Sequence, residues 1–479
     1  MRNIFKSLAA LLLLAIITPS HAAWYQGKKP SADSVYFSTG FKVGDVTPTS
    51  AVIWTRLCSE PKPVGIHHER MDKEFRSPIK FNRSAPVSEW EGYVGGSYGQ
   101  VLIELSTVRN QRVSSGWQFV SGYKDFTYKQ RFDGLLPNTK YRVQIMGCKD
   151  TGSPVTHIEG EFTTAPAPNQ EAAICFTSVS CQYYWDYDDE HRGFKVYDAM
   201  AKLKPSFISH TGDYVYYDKA PAANTIEQAR HKWQANNSWS GTVDFYRTTP
   251  CIMQADDHDI LRDDASPGSR PMLDMTFEDG VAIWEEQSPF IGETYRTFRW
   301  GKDLQVWAVD GRKFRDDNWV EDGKDKTIWG KEQCEWFERT VKQSDATFKI
   351  LLSPTPVVGP DRETKRDNHA NPPFKHEGDW LRKLLAANNM YVINGDRHWQ
   401  YVSVDKQTGV MEFSQGPQSD SHAGGWKQSE LMPEHKFLRV KGGFLSVSVS
   451  RKDKKPQIIF RHHDVDGNVV HEETILRKR

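Results

Sequence analysis

Apolar and polar residues alternate along the first third of the chain. "TSAVIWTRL" (49–57), "VLIELST" (101–107), "YKQRFDGL" (128–135), "KYRVQIMG" (140–147) and "GEFTTAP" (160–166) each show a period of two, with turn residues between them. That pattern predicts strands with one buried and one solvated face, hence an antiparallel sandwich. Beyond Glu171 the texture changes. Short strands that open on or beside apolar residues and most of which end on polar ones appear at 172–180, 206–213, 251–259, 304–312, 348–356 and 391–399. Between them lie amphipathic segments that predict helices over 192–204, 225–237, 275–287, 331–344 and 379–389. Strands this apolar are covered on both faces, so the expectation is an α/β core with helices flanking β-sheet. The tail from Phe444 returns to alternating strands joined by hairpin turns.

The chain has 479 residues, too many for one ordinary core, so two domains are expected. "LLPNTKYRVQI" (135–145) followed by "GEFTTAPAP" (160–168) resembles the end of a fibronectin type III domain. Residues 24–165 are therefore expected to form an all-β N-terminal domain, "APAPNQ" (165–170) a short stiff linker, and residues 171–479 the catalytic domain.

At the N-terminus, Arg2 and Lys6 precede an apolar stretch, Leu8 to Ile17, and then "TPSHA" with the small residues Ser20 and Ala22. This reads as a signal peptide over residues 1–23, because an apolar core of about ten residues is half of what a bilayer crossing needs. No later segment reaches transmembrane length, so the mature chain is expected in the periplasm or outside the cell. Six cysteines without CxxC spacing argue against a zinc ribbon and, after export, are free to pair. Lys plus Arg equals Asp plus Glu at 62 each, which argues against bulk nucleic-acid binding.

The chemistry sits at the carboxyl ends of the buried strands, where open α/β sheets collect ligands. There the sequence places Cys181, then Asp213 and Tyr216 in "GDYVYY", then "DDHD" (256–259), and later Asp396 and His398 in "NGDRHW". Singly each has a plain reading: Asp213 as a turn residue, Tyr216 as core, Cys181 as a small buried residue, "DDHD" as a helix cap. Together, carboxylates with imidazole, phenolate and thiolate suit a trivalent or redox-active iron beside a hard divalent ion.

From about Ala172 onward the chain resembles the PhoD-type alkaline phosphatase family of metallophosphoesterases. The carrying pieces, in family order, are "SVSCQ", "HTGDYVY", "ADDHDI", "VDGRKFR", "GKEQCEWFERTV", "FKILLSPTPV" and "NGDRHW". The resemblance implies a β core sandwiched by helices, behind a fibronectin-like domain, with metals at its carboxyl edge. It further implies Asp213 as a bridge between two metals, Cys181 and Tyr216 on ferric iron, Asp257 on a second ion, often calcium, and Asp396 and His398 closing the site. His258 would stand over the phosphate. Two departures stand out: Asp263 and Asp264 where an Asn–Asp pair is common, and a charged segment, 359–378, too long for a simple connection and expected to be a substrate loop.

The implied reaction is hydrolysis of a small phosphoester. Two cations about 3.5–4 Å apart neutralise the ester and supply hydroxide, while His258 protonates the leaving oxygen. Arg312 either clamps a phosphate oxygen or pairs with a nearby Asp. Alternatives are phospholipase D-type phosphodiester cleavage, and a non-catalytic adhesive protein working through its fibronectin-like domain. "HHDVDGN" (462–468) reads as a hairpin turn and not a metal loop, and "GGSYGQ" (95–100) implies no nucleotide.

Overall fold

The computed structural model describes residues 33–67, 82, 84–109 and 111–476, so the signal-peptide expectation lies outside the described residues. The five early alternating segments become strands β2 (Ser50–Arg56), β3 (Gly99–Ser106), β6 (Thr127–Asp133), β7 (Lys140–Cys148) and β8 (Thr156–Thr163), and three short strands that the pattern did not announce join them: β1 (Phe41–Gly44), β4 (Arg112–Ser114) and β5 (Gln118–Val120). In β3, Val101, Ile103 and Leu105 point inward with no exposure while their neighbours are partly exposed, as a period of two demands. Sheet β4-β3-β7-β8, with β5 also on β3, packs against β1, β2 and β6 around Val43, Ile53, Phe132, Val143 and Ile145. This is the fibronectin type III-like sandwich.

The α/β part follows as β9 (Ile174–Val179), α1 (Lys195–Lys202), β10 (Phe207–Thr211), α2 (Ile226–Ser238), α3 (Ser240–Tyr246), β11 (Cys251–Gln254), α4 (Asp257–Ile260) and α5 (Phe277–Gln287). A second run adds β12 (Arg296–Trp300), β13 (Leu304–Ala308), α6 (Gly330–Gln343), β14 (Phe348–Ser353), α7 (Lys375–Ala387), β15 (Met390–Asn394), β16 (Gln400–Val404), β17 (Met411–Gln415) and β18 (His435–Arg439). The tail supplies β19 (Phe444–Lys452), β20 (Lys455–His463) and β21 (Val469–Leu476). Strands β9, β10 and β11 are parallel, as are β13, β14, β15 and β17.

Two sheets result, one of nine strands ordered β21-β20-β19-β9-β10-β11-β1-β2-β6 and one of seven ordered β12-β13-β14-β15-β17-β16-β18. Phe176, Phe207, Ile350, Leu352, Phe413 and Phe460 fill the space between them. Helices α1, α2, α3 and α5 cover the outer face of the first sheet through Tyr197, Trp233, Phe245 and Trp284, while α6 and α7 cover the second through Phe337 and Leu381. Covered on both sides, the central strands have no wet face, which is why their sequences lack alternation.

Several details depart from expectation. Strand β1, only four residues long, pairs with β2 and, through Gly44 opposite Cys251, with β11, so one sheet runs from the sandwich into the α/β core. The segment 165–170 is docked and does not hang free: Asn138 N–H donates to Ala165 O, Gly301 N–H to Pro166 O and Lys302 N–H to Gln170 O. The expected strand 251–259 stops at Gln254, because Asp256 caps α4 in a reciprocal pair with Asp259. None of the six cysteines is paired. Residues 464–468 do form the turn between β20 and β21, tied by Asn468 donating to Asp464.

Candidate metal centre

Three loops leaving β9, β10 and β15 place their second residue in the same way. Cys181, Asp213 and Asp396 all have left-handed backbone, with φ of 56°, 58° and 62°. This conformation is costly for residues with a side chain, and clusters where the surroundings enforce it. Gly212 before Asp213 has φ of 101°, and a Cβ there would lie 2.4 Å from that of Asp256, so only glycine lets these two loops meet. Asp259, given no role by the sequence, clamps them: its carboxylate accepts from the backbone N–H groups of Asp213 (2.7 Å), Val215 (2.9 Å) and Asp256 (2.9 Å).

The structure brings seven of the eight expected side chains to one place. Ligand-capable atoms lie within 4.8 Å of one another in the groups Cys181–Asp213–His398, Asp213–Asp257–His258 and Asp213–Asp256–Asp396. Asp213 is common to all three. Tyr216 joins through its hydroxyl, 3.1 Å from Asp213 Oδ2 and 3.4 Å from His398 Nε2. Cys181 Sγ lies 3.5 Å from Asp213 Oδ2. Asp256, which the sequence reading passed over for its neighbour, is fully buried and belongs to the same cluster.

The electrostatics call for cations. Burial, then the neighbouring carboxylates, pushes the Asp213 carboxyl far above its ordinary range; burial raises Asp256 likewise and lifts Asp396 to about 7 against the pull of Arg397. Burial followed by Asp213 also pushes Cys181 and Tyr216 up. Asp213 Oδ1 and Asp256 Oδ2 are buried with no hydrogen-bond partner among the described residues. Anionic oxygens in that state cost several kcal/mol unless a cation meets them. The donor set fits a metal: soft and nitrogenous groups on one side of Asp213, carboxylates on the other.

Above the cluster opens a cleft of about 670 Å³ walled by His258, Arg362, Lys365, His398, Trp399 and Trp426 among others. Other surface hollows are as large, but these ligating groups line only this one among the hollows described. His258 Nδ1 faces Asp218 Oδ1 at 2.6 Å, which turns Nε2 toward the cleft. Although burial opposes the charge, Asp218, Asp257 and Asp213 hold the His258 imidazolium well above its usual pKa, and Asp218 is held down to about 2. The 359–378 segment delivers Arg362 and Lys365 to the wall.

Arg312 is the exception. Its side chain has no exposure, pairs with Asp256 at 2.6 Å and lies outside the cleft lining, so it supports the cluster from below and does not clamp a phosphate from the cleft. The opposite alternative, an Arg–Asp pair, holds, but buried and not at the surface. The sequence reading also missed Asp186, Asp218 and His422, whose Nε2 lies 3.1 Å from Tyr216 Oη. Only the spacing "DYVYYD" hinted at Asp218, and "SDSHAGGW" carried no periodic signal for His422.

The chain is similar to known proteins along most of its length. The family model of the PhoD-like phosphatase matches residues 176–441, and that of the PhoD-like phosphatase N-terminal domain matches residues 22–166. Alkaline phosphatase D of Bacillus subtilis (strain 168) is 24% identical over 454 residues, covering 83% of this chain and 70% of that one. Among solved structures, PhoD superposes with a TM-score of 0.69 at 18% identity, covering 94% of this chain and 90% of that one. The purple acid phosphatase PPD1 from yellow lupin (Lupinus luteus) seeds superposes with a TM-score of 0.63 at 12% identity, covering 93% and 75%. These two likenesses show a shared metallophosphoesterase-type fold. With a family model matching more than half of its length, the chain belongs to the PhoD-like phosphatase family.

Proposed function

We propose that the protein is an exported metal-dependent phosphoesterase that hydrolyses phosphate monoesters, diesters or both over Asp213. One observation carries the reading: Asp213 belongs to three ligating groups and keeps a buried oxygen without a hydrogen-bond partner among the described residues, beneath a cleft whose walls include Lys219, His258, Arg362 and Lys365 beside Asp263 and Asp420. Cys181, Asp213, Tyr216 and His398 suit ferric iron, and Asp213, Asp257 and Asp396 suit a hard divalent ion such as calcium. When bound, such a pair neutralises phosphate charge and lowers the pKa of water.

The chain's own side chains do the rest. Arg362 and Lys365 hold phosphoryl oxygens by charge-assisted hydrogen bonds. His258, kept protonated by Asp218, donates its Nε2 proton to the departing alkoxide. Residues 24–165 act as a β domain bracing a catalytic domain of residues 171–479, and residues 1–23 direct export. The reading is tested by elemental analysis of protein purified without added metal, together with rates on 4-nitrophenyl phosphate and bis(4-nitrophenyl) phosphate. Iron with a second, different metal and hydrolysis of at least one ester are expected. Zinc alone, or full activity without metal, overturns it.

A further inference from the structure

We infer that His422 is a fifth ligand on the Cys181–Asp213–Tyr216–His398 side of the centre, with Asp186 fixing its ring; this rests on the metal centre proposed above. His422 lies on the loop after β17, and its side chain is almost wholly buried. Its Nδ1 faces Asp186 Oδ2 at 2.8 Å, from the loop after β9. A carboxylate accepts only, so Nδ1 carries the ring proton and Nε2 presents a lone pair. A carboxylate behind a histidine is the usual device for orienting a metal ligand and raising its basicity.

That lone pair is aimed at the cluster. His422 Nε2 lies 3.1 Å from Tyr216 Oη and 3.2 Å from His398 Nε2, and Tyr216 Oη lies 3.4 Å from His398 Nε2. With bonds of about 2.1 Å, adjacent ligand atoms on one ion stand roughly 3.0 Å apart in an octahedron and about 3.4 Å apart in a tetrahedron. The observed triangle falls in that range on every edge.

The Tyr216 hydroxyl faces Asp213 Oδ2, His398 Nε2 and His422 Nε2 together. His422 brings no proton at Nε2, because its ring proton is committed to Asp186. Asp186 Oδ1 is buried and without a hydrogen-bond partner among the described residues, so this carboxylate is dedicated to the histidine.

The test compares wild type, His422→Ala and Asp186→Asn by competition for iron against a chromogenic chelator, with visible spectra recorded at full loading. Asp186→Asn is expected to weaken retention 10–100-fold, the usual effect of removing a partner behind a ligand. His422→Ala is expected to weaken it further and to shift the charge-transfer band. Thermal unfolding of all three proteins in excess chelator reports the fold independently of metal, and Asp186→Asn decides the question where His422→Ala fails to fold. Unchanged affinity and band in a folded variant overturn the assignment while leaving the metal centre intact. So does unchanged metal binding with tenfold weaker inhibition by phosphate, which would make His422 a substrate contact. A wild type that holds no iron refutes the metal reading itself.

Discussion

Asp213→Asn separates stability from catalysis at one atom. The side chain keeps its shape but loses its charge, and an amide nitrogen that donates replaces one oxygen that accepts. Asp213 is the residue shared by all three ligating groups around it, so in the proposed centre both ions would lose a ligand together. Removing a single fixed donor from an enzyme's charge-stabilising site costs roughly 10²–10³ in kcat. A shared carboxylate acts on two centres, so a loss of at least about 10³ is expected. Stability should move the other way when metal is absent. In the chelated protein Asp213 is a buried acid whose pKa stands well above the ordinary value of 3.8, first through burial and then through Asp257, Asp256 and Asp259, against His258. A carboxyl raised in the folded state holds its proton more tightly there than in the unfolded chain. The wild type therefore loses stability as pH rises above the ordinary carboxylate value, up to the raised one. An uncompensated buried charge costs about 3–5 kcal/mol, and Asn removes the charge while keeping two polar atoms, so a net gain of roughly 1–3 kcal/mol is expected near neutrality. The assay is paired: turnover on both nitrophenyl esters with metal, and unfolding midpoints in chelator between pH 4 and 8. The variant should be inactive yet melt above wild type in chelator, with the gap widening with pH. A variant that keeps a tenth of wild-type turnover, or that melts lower in chelator at every pH, refutes the reasoning.

Asp218→Asn should move the alkaline limb of the kcat profile about 1–3 pH units lower, since the carboxylate 2.6 Å from His258 Nδ1 is what holds the imidazolium charged; an unmoved limb removes His258 as the acid. Arg362→Ala should raise KM about 10–100-fold with kcat changed much less, the worth of one charged hydrogen bond to phosphate; an effect on kcat alone would place it elsewhere. Tyr216→Phe should alter or abolish a visible phenolate-to-iron band while the fold survives, because the ring keeps its edge-on contact with Tyr183; an identical band in the loaded variant makes Tyr216 a core residue. Thiol titration of the denatured, unreduced protein should find six free thiols, as no cysteine is paired; fewer would reveal a disulfide.

What the sequence disclosed and what it hid follow from the range over which each signal acts. Buried parallel strands announce themselves within five residues, and a polar residue within a few positions of such a strand's end lies at the sheet's carboxyl edge, so Cys181, Asp213, Asp396 and His398 were legible. Asp186 and His422 are 236 residues apart and meet only through the packed fold. Asp186 ends a single 3-10 turn, Tyr184–Asp186, and His422 lies in a loop, so neither belongs to an element long enough for a period to report its direction. Arg312 failed for another reason. A charge in "DGRKFR" reads the same whether it faces substrate or a carboxylate beneath it, and only the burial of Asp256 decides. Strand β1 was missed because four residues carry too few alternations to register.

That missed strand changes how the N-terminal sandwich bears on the site. Lys42 on β1 runs into the helical layer of the α/β core, where Nζ donates to Asn237 Oδ1 at 2.8 Å and sits 4.5 Å from the centre of the Tyr214 ring. Tyr214 donates to the same Asn237 oxygen, and it is the residue directly after Asp213. Nearby, Asp125 pairs with Arg56 at 2.9 Å and also accepts from Gln234 of α2 and Gln287 of α5. Burial lowers the Lys42 pKa to about 7, so its ammonium is held at a cost that the ring faces and Asn237 partly offset. An adhesive module tethered by a linker has no reason to carry such a group into its neighbour's core. A brace does: by fixing Tyr214 and α2 from behind, the sandwich limits the freedom of the loop that carries Asp213 and Tyr216. The strained backbone at Asp213 needs surroundings that enforce it, and Lys42 from the first third of the chain packs on the ring of the very next residue.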